Sequence, residues 1–173
     1  MLRNTLVVIV TAVLLSQGAA ADVKVGDVPP PRLGTDRNGD RINLEEMSGK
    51  IVVISFWATW CPPCLKELPV LEAIHNSIGE DRLEVIAVNT EDSRTYRGAL
   101  RRLKDYRMTL VHDRRGILQR QYGVDGLPHM VIVGIKGIVV SVKRGYNEDM
   151  VIPIVEELNS LLRAQARARL LEP

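Results

Sequence analysis

Cys61 and Cys64 are the only cysteines in the 173-residue sequence, and they lie between segments of two different patterns. Residues 51–56 form an apolar run rich in β-branched side chains, which is typical of a strand buried on both faces. Apolar residues after Pro63 recur every three or four positions, which predicts a helix ending near Gly79; they are Leu65, Leu68, Leu71 and Ile74. The two cysteines therefore lie where a buried strand is followed by a helix.

The spacing of these cysteines favours redox chemistry over a structural role. A disulfide that closes so short a loop removes little entropy from the unfolded chain and adds little stability. Free N–H groups and the positive dipole end at a helix start stabilise a thiolate, so Cys61 is predicted to attack a partner disulfide and Cys64, one turn later, to resolve the mixed disulfide. A zinc site would need more ligands, and His75, His112 and His129 are scattered along the chain.

The residues around Cys61 modify its predicted reactivity. Pro62 and Pro63 have no N–H group, so two donors that would stabilise the Cys61 thiolate are missing. A strong oxidant has an unusually stable reduced form, and we therefore expect a reductant or an intermediate redox poise. Trp60 directly precedes the nucleophile and is predicted to form part of a partner-binding surface, whereas Trp57 is predicted to pack in the core.

The rest of the chain alternates strand and helix patterns. Asn38-Gly39 is a turn signal between two short extended segments, at 32–35 and 41–44, which predicts an amino-terminal β-hairpin. Later predicted elements are strands at 83–88, 109–111, 130–133 and 138–142 and helices at 95–106, 117–122 and 148–168. This order predicts an α/β sandwich with a mixed sheet.

The first 21 residues have the pattern of a secretory signal peptide. Arg3 precedes an apolar run at 6–15, which is shorter than the roughly 20 residues that a membrane-spanning helix requires. Ala19-Ala20-Ala21 offers a cleavage site before Asp22. We predict a signal peptide at 1–21 and one domain at 22–173, with an uncleaved amino-terminal anchor as the alternative for the first segment.

The charge of the chain gives no basis for binding to nucleic acid. The net charge is only +2, and charges of both signs are spread along the sequence. Proteins that bind nucleic acid usually concentrate positive charge on one surface. We therefore expect no nucleic-acid partner.

Residues 49–64 (GKIVVISFWATWCPPC), 86–89 (IAVN) and 122–128 (YGVDGLP) resemble the thioredoxin superfamily, and in particular its secreted TlpA/ResA-like branch. The resemblance extends over most of 22–173. It implies a thioredoxin-like α/β sandwich with a central mixed sheet, an amino-terminal β-hairpin and an inserted strand–helix unit. It also implies that Pro128, after Leu127, is a cis proline that faces the active-site cysteines, next to backbone that pairs with a bound partner chain.

The sequence departs from the family pattern at the acidic proton acceptor. Thioredoxins carry a buried Asp in the central strand, where this chain has Ser55. The resemblance implies that an acidic residue after the second strand serves instead, and Glu91 and Asp92 lie in the matching loop, with Asp92 the closer alignment. The alternative is that both are solvated loop carboxylates.

His129 is a second departure, because this branch commonly carries Thr after the cis proline. The resemblance allows its imidazole to approach the Cys61 sulfur, where it would stabilise the thiolate or complete a three-ligand copper site with both cysteines. The alternative is a packed or exposed strand histidine.

Together these features predict an extracytoplasmic thiol:disulfide oxidoreductase that reduces disulfides in exported proteins. The resemblance implies roles in cytochrome c or oxidase assembly, and a membrane electron donor, because a reductant in an oxidising periplasm must be recharged. We expect a monomer with no cofactor beyond the Cys61/Cys64 pair. Two alternatives remain open: a copper carrier using Cys61, Cys64 and His129, and a thiol peroxidase on the same fold.

Overall fold

The computed structural model describes residues 22–171. The predicted signal peptide or anchor at 1–21 lies outside the described residues. Within the described part, no helix has both the length and the apolar character needed to cross a membrane. The described part begins with residues 22–31, which form no helix or strand, and continues into the predicted antiparallel hairpin, which consists of β1 (Arg32–Thr35) and β2 (Arg41–Asn43).

Between residues 22 and 171, five further strands form a mixed sheet, and four α-helices cover it. The strands are β3 (Ile51–Trp57), β4 (Leu83–Asn89), β5 (Thr109–His112), β6 (His129–Val133) and β7 (Val139–Arg144). The helices are α1 (Pro62–Ile78), α2 (Ser93–Arg102), α3 (Ile117–Tyr122) and α4 (Val151–Leu171). The strand order is β5-β4-β3-β6-β7, in which β3, β4 and β5 are parallel and β6 and β7 are antiparallel to their neighbours. The predicted fold class is confirmed.

Every residue of the central strand β3 is buried, which requires cover on both faces of the sheet. Val53 and Trp57 point to the face that packs against α1, α2 and α4. Ile54 and Phe56 point to the other face, where α3 and the amino-terminal hairpin lie. The sheet is therefore the middle layer of a three-layer sandwich.

The helix after β4 is shorter than the predicted 95–106, because α2 begins at Ser93 and ends at Arg102. Leu103 leaves the helical conformation, and a turn follows in which the Tyr106 N–H donates to the Leu103 carbonyl. The guanidinium of Arg37, from the turn of the hairpin, donates to the carbonyl oxygens of Leu103 and Tyr106. This contact between hairpin and loop supplies a donor to carbonyl groups that lie beyond the last turn of α2 and have no acceptor role within it.

The register of the sheet brings three loops to one edge. Trp57 at the end of β3 is paired with Asn89 at the end of the parallel strand β4. Phe56 is paired with His129 at the start of the antiparallel strand β6. The loops that follow β3 and β4 and the loop that precedes β6 therefore meet, and the cysteine pair lies in the first of them.

Candidate active site

Cys61 and Cys64 form a disulfide at the start of α1, with their Cα atoms 5.3 Å apart. Cys61 is the N-cap residue, and its sulfur accepts a hydrogen bond of 3.2 Å from the Cys64 N–H. Cys61 is only 2% exposed, and Cys64 is fully buried. A thiolate formed at Cys61 on reduction would lie at the helix end that stabilises negative charge.

The prolines and tryptophans around the disulfide lie as their sequence positions predict. Pro62 and Pro63 occupy the first two helical positions, so the N–H of Cys64 is the first donor that the helix offers. Trp60 is 70% exposed, whereas Trp57 is buried in the core. An exposed aromatic ring beside a buried reactive sulfur is suited to contact with a docking partner.

The loop before β6 completes this edge. The Leu127–Pro128 peptide bond is cis, as the resemblance implies. Because Phe56 pairs with His129, Pro128 lies level with the end of β3, where the cysteine turn begins. A cleft of about 490 Å³ has both Trp60 and Leu127 in its lining. The cleft therefore connects the surface next to Cys61 with the cis-proline loop.

A buried acid lies on the same face of α1 as Cys64. Glu67 follows Cys64 by three residues, a spacing that places both on one helix face, and it is 1% exposed. Its carboxylate accepts a hydrogen bond of 2.6 Å from the Ser55 hydroxyl. Burial raises the pKa of Glu67 to about 7, and the bond from Ser55 opposes part of this shift. A carboxyl group with this pKa can accept a thiol proton and return it near neutral pH.

The comparisons with known proteins identify the family. The AhpC/TSA family model matches residues 22–142, most of the described chain. The chain belongs to the AhpC/TSA family. A relative in Halalkalibacterium halodurans, the thiol-disulfide oxidoreductase ResA, is 32% identical over 134 residues, which cover 76% of this chain and 73% of that protein. This AhpC/TSA member is therefore a thiol-disulfide oxidoreductase of the ResA-like branch of the thioredoxin superfamily.

Solved structures of similar fold agree with the thioredoxin-like fold of this AhpC/TSA member. A DsbE-like thiol:disulfide interchange protein from Chlorobium tepidum superposes with a TM-score of 0.72 at 24% identity, covering 81% of this chain and 99% of that one, which shows the shared fold. The exposed lipoprotein thioredoxin Etrx1 of Streptococcus pneumoniae superposes with a TM-score of 0.62 at 26% identity. That match covers 75% of this chain and 98% of the pneumococcal one.

The two loop carboxylates of this AhpC/TSA member have different positions. Glu91 turns toward the cysteine loop and accepts hydrogen bonds from the backbone N–H and the hydroxyl of Thr59. Asp92 is the N-cap of α2, and hydrogen bonds from Thr95 and Arg94 hold its pKa below the ordinary value. The structure thus places Glu91, and not Asp92, against the turn before Cys61, and the role that the resemblance implies for an acid in this loop stays a prediction. The buried acid itself comes from α1, as Glu67.

The imidazole of His129 packs on the sheet face away from the disulfide, which agrees with the alternative of a packed strand histidine and not with the approach to Cys61 that the resemblance allows. Its ring lies 6.1 Å from that of Phe56, edge to face, on the sheet face covered by α3. Cys61 and Cys64 pack on the opposite face. Side chains alternate along a strand, so the register that pairs His129 with Phe56 turns its ring away from the cysteines. Burial lowers the pKa of His129, and the neighbouring Arg144 acts in the same direction.

The predicted copper set is not brought together, since His129 and the two cysteines lie on different faces. In residues 22–171, no three His, Cys, Asp or Glu side chains converge to hold a metal ion. The acid that sequence reasoning missed, Glu67, has a readable signal. It lies three residues after Cys64 and next to Leu68, inside the apolar stripe of α1, where a charged residue is otherwise out of place.

Proposed function

We propose that this thiol-disulfide oxidoreductase works outside the cytoplasm and reduces disulfides in exported proteins. The observation that carries the proposal is the Cys61–Cys64 pair at the start of α1, backed by the buried carboxyl of Glu67. The signal-peptide pattern at 1–21 supports export. Similarity to the exposed lipoprotein thioredoxin of Streptococcus pneumoniae supports the same location.

The dithiol form carries out the reduction in two exchanges. The Cys61 thiolate attacks one sulfur of a partner disulfide, which forms a mixed disulfide and releases the other partner sulfur as a thiolate. Cys64 then loses its proton to the Glu67 carboxylate and attacks the Cys61 sulfur. The second partner thiolate leaves, and the Cys61–Cys64 disulfide forms. Two electrons pass from this chain to the partner.

The oxidised chain must then be reduced again before another turnover. The resemblance implies that a membrane electron donor supplies the two electrons. They return Cys61 to the thiolate and Cys64 to the thiol, which takes up one proton. It also implies partners among proteins whose cysteines are kept reduced for cytochrome c or oxidase assembly. The missing N–H groups of Pro62 and Pro63 support a reducing poise, because they leave the Cys61 thiolate less stabilised than a strong oxidant requires.

Trapping of partners tests the proposal in cells. In the Cys64→Ser variant of the full chain, Cys61 can attack but the mixed disulfide is not resolved, so we expect partner proteins to be captured. Cys61→Ser is the matched control, because it keeps one thiol at the same site and removes the predicted nucleophile. Equal capture by the two variants would contradict the assignment of Cys61 as the nucleophile, and greater capture by Cys61→Ser would reverse the two roles. Capture of cytoplasmic proteins alone would refute the extracytoplasmic reductase.

A reduction assay with purified protein separates the proposal from the peroxidase alternative. We expect the reduced chain to reduce insulin disulfides with loss of two thiols per turnover. Consumption of hydrogen peroxide faster than of insulin disulfides would favour the thiol peroxidase. Fractionation of cells that express the full chain, with sequencing of its mature amino terminus, tests the location and cleavage before Asp22.

A further inference from the structure

Glu91 links the loop after β4 to the turn that leads into the disulfide. Its carboxylate accepts three hydrogen bonds: 2.6 Å from the Thr59 N–H, 2.7 Å from the Thr59 hydroxyl and 3.1 Å from the Asn89 side-chain amide. Hydrogen bonds to a charged acceptor are stronger than those between neutral groups. We call this set of residues, Thr59, Asn89 and Glu91, the Glu91 clamp.

Glu91 is itself held in place by two neighbours. The side-chain oxygen of Asn89, a fully buried residue at the end of β4, accepts the Glu91 N–H at 3.0 Å. On the other side, His112 Nε2 lies 2.7 Å from the Glu91 carbonyl oxygen. That nitrogen must carry a proton, since a carbonyl only accepts. The His112 ring stacks on Tyr96 with the ring centres 4.4 Å apart. The clamp is thus anchored to the sheet and to α2.

The clamped residue lies two positions before the nucleophile. Thr59 lies inside a turn that is closed by the Cys61 N–H, which donates to the Ala58 carbonyl at 3.2 Å. Fixing Thr59 therefore fixes the direction from which the chain enters α1, and with it the position of Cys61 at the helix start. The clamp reaches the disulfide through backbone, without Glu91 having to touch either sulfur.

We propose that Glu91 is a positioning residue for the dithiol–disulfide exchange. By holding the turn, the clamp keeps Cys61 within reach of Cys64 after reduction and in the mixed disulfide. Holding two reacting groups in place raises their effective concentration toward each other. The clamp thereby favours disulfide formation at equilibrium and speeds resolution by Cys64. This inference rests on the exchange proposed above for the two cysteines.

Two substitutions separate the position of the turn from the charge of Glu91. In Glu91→Gln, the amide oxygen can accept the Thr59 and Asn89 N–H groups while the amide nitrogen donates to the Thr59 hydroxyl, so the clamp remains without its charge. Glu91→Ala loses both the hydrogen bonds of the clamp and its charge. The matched control is Glu84→Ala, because Glu84 accepts a 2.7 Å bond from the Thr109 hydroxyl elsewhere on β4, away from the turn.

The test equilibrates each purified full chain with reduced and oxidised glutathione and counts protein thiols by alkylation. We expect Glu91→Ala to shift the equilibrium about tenfold toward the dithiol, a potential about 30 mV less reducing. Resolution of a glutathione mixed disulfide on Cys61 slows by a similar factor. For Glu91→Gln and Glu84→Ala, we expect the equilibrium constant with glutathione and the resolution rate to stay within about threefold of the natural chain. A general loss of stability could not explain a shift in Glu91→Ala alone.

Two results would overturn the proposal. One is a Glu91→Ala chain with the same equilibrium constant as the natural chain. The other is a Glu91→Gln chain whose equilibrium shifts as far as that of Glu91→Ala, which would assign the effect to charge.

If Glu91→Ala does not fold, Thr59→Val carries the test. It loses the hydroxyl bond but keeps the backbone bond, and we expect a smaller shift in the same direction, with Thr59→Ser restoring the natural value. An unshifted Thr59→Val chain would count against the clamp. Glutathione is a small molecule, so failure of the proposed protein partners leaves this test intact.

Discussion

The Ser55 hydroxyl donates a 2.6 Å hydrogen bond to the Glu67 carboxylate, which joins β3 to α1 on the sheet face that also carries the disulfide. Thioredoxins, by the family pattern, place a buried carboxylate on the central strand itself. Here the strand supplies a hydroxyl and the helix supplies the acid. The acid therefore lies on the same helix as Cys64, the cysteine whose proton must be removed before it resolves a mixed disulfide.

Glu67→Gln is expected to flatten the pH dependence of stability. The pKa of Glu67 in the folded chain is about 7, above its usual value of 4.5, so the folded chain keeps a proton that the unfolded chain releases. The free energy of unfolding of the natural chain therefore falls as the pH rises from 4.5 to about 7, by on the order of 3 kcal/mol for this group. Urea unfolding of the oxidised chains between pH 4 and about 8 measures it. Parallel curves for the two chains would contradict the buried titration.

The same substitution is expected to slow resolution by Cys64. Gln cannot accept the thiol proton, and general-base contributions are commonly about 10²-fold or more. Stopped-flow measurement of the second exchange, with a preformed mixed disulfide on Cys61, isolates this step. We expect the natural chain to accelerate as Glu67 ionises near pH 7, and the Gln variant to lack that inflection. The same inflection in Glu67→Gln would mean that a group other than Glu67 accepts the Cys64 proton.

Ser55→Ala is expected to raise the pKa of Glu67 above about 7. The hydroxyl stabilises the charged carboxylate, and its loss leaves burial unopposed. Titration of the Glu67 carboxyl carbon by NMR reports the shift directly. The control is Ser141→Ala, which removes a hydroxyl from a buried serine on β7. A Glu67 pKa that falls in Ser55→Ala would mean that the hydroxyl does not donate to the carboxylate.

The sequence was sufficient for the elements that depend on local pattern. The β-branched run at 51–56 became β3, and the three- and four-residue spacing after it became α1. The position of Glu67 inside the apolar stripe of α1 signals burial, but its partner, the Ser55 hydroxyl, comes from a different element, and only packing brings the two together. The role of Asp92 was readable, since an Asp followed by Ser93 and Thr95 before a helical pattern is an N-cap signal.

The direction of the His129 ring depends on information that a single strand does not contain. Residues 129 and 130 point to opposite faces of the sheet, and either could have been the one facing the cysteines. The antiparallel pairing of β6 with β3 sets Met130 opposite Ser55 and His129 opposite Phe56. A shift of one residue would have turned the imidazole to the sheet face that carries the disulfide.

His129→Thr is expected to keep the redox equilibrium with glutathione and to change the acid stability. Burial holds the pKa of His129 below its usual value of 6.5, so the unfolded chain takes up a proton first as the pH falls. The natural chain therefore loses stability below about pH 6.5 in a way that the Thr variant does not. Unfolding curves between pH 5 and about 8 provide the comparison. A shift of the equilibrium with glutathione in His129→Thr would mean that His129 does act on the disulfide.

Trp60→Ala is expected to weaken partner docking without changing the disulfide itself. The Trp60 ring is 70% exposed and lines the cleft that reaches the cis-proline loop. A few residues dominate the binding energy of a protein interface, each by about 2 kcal/mol or more, and Trp is enriched among them. We therefore expect the KM for a trapped protein partner to rise by at least tenfold, while the equilibrium with glutathione, which needs no docking surface, stays the same. Trp57 is no control here because it is buried, but Leu65, which is also exposed at the start of α1, is suitable. If Leu65→Ala raises the KM and Trp60→Ala does not, the docking surface lies over the helix and not over the cleft.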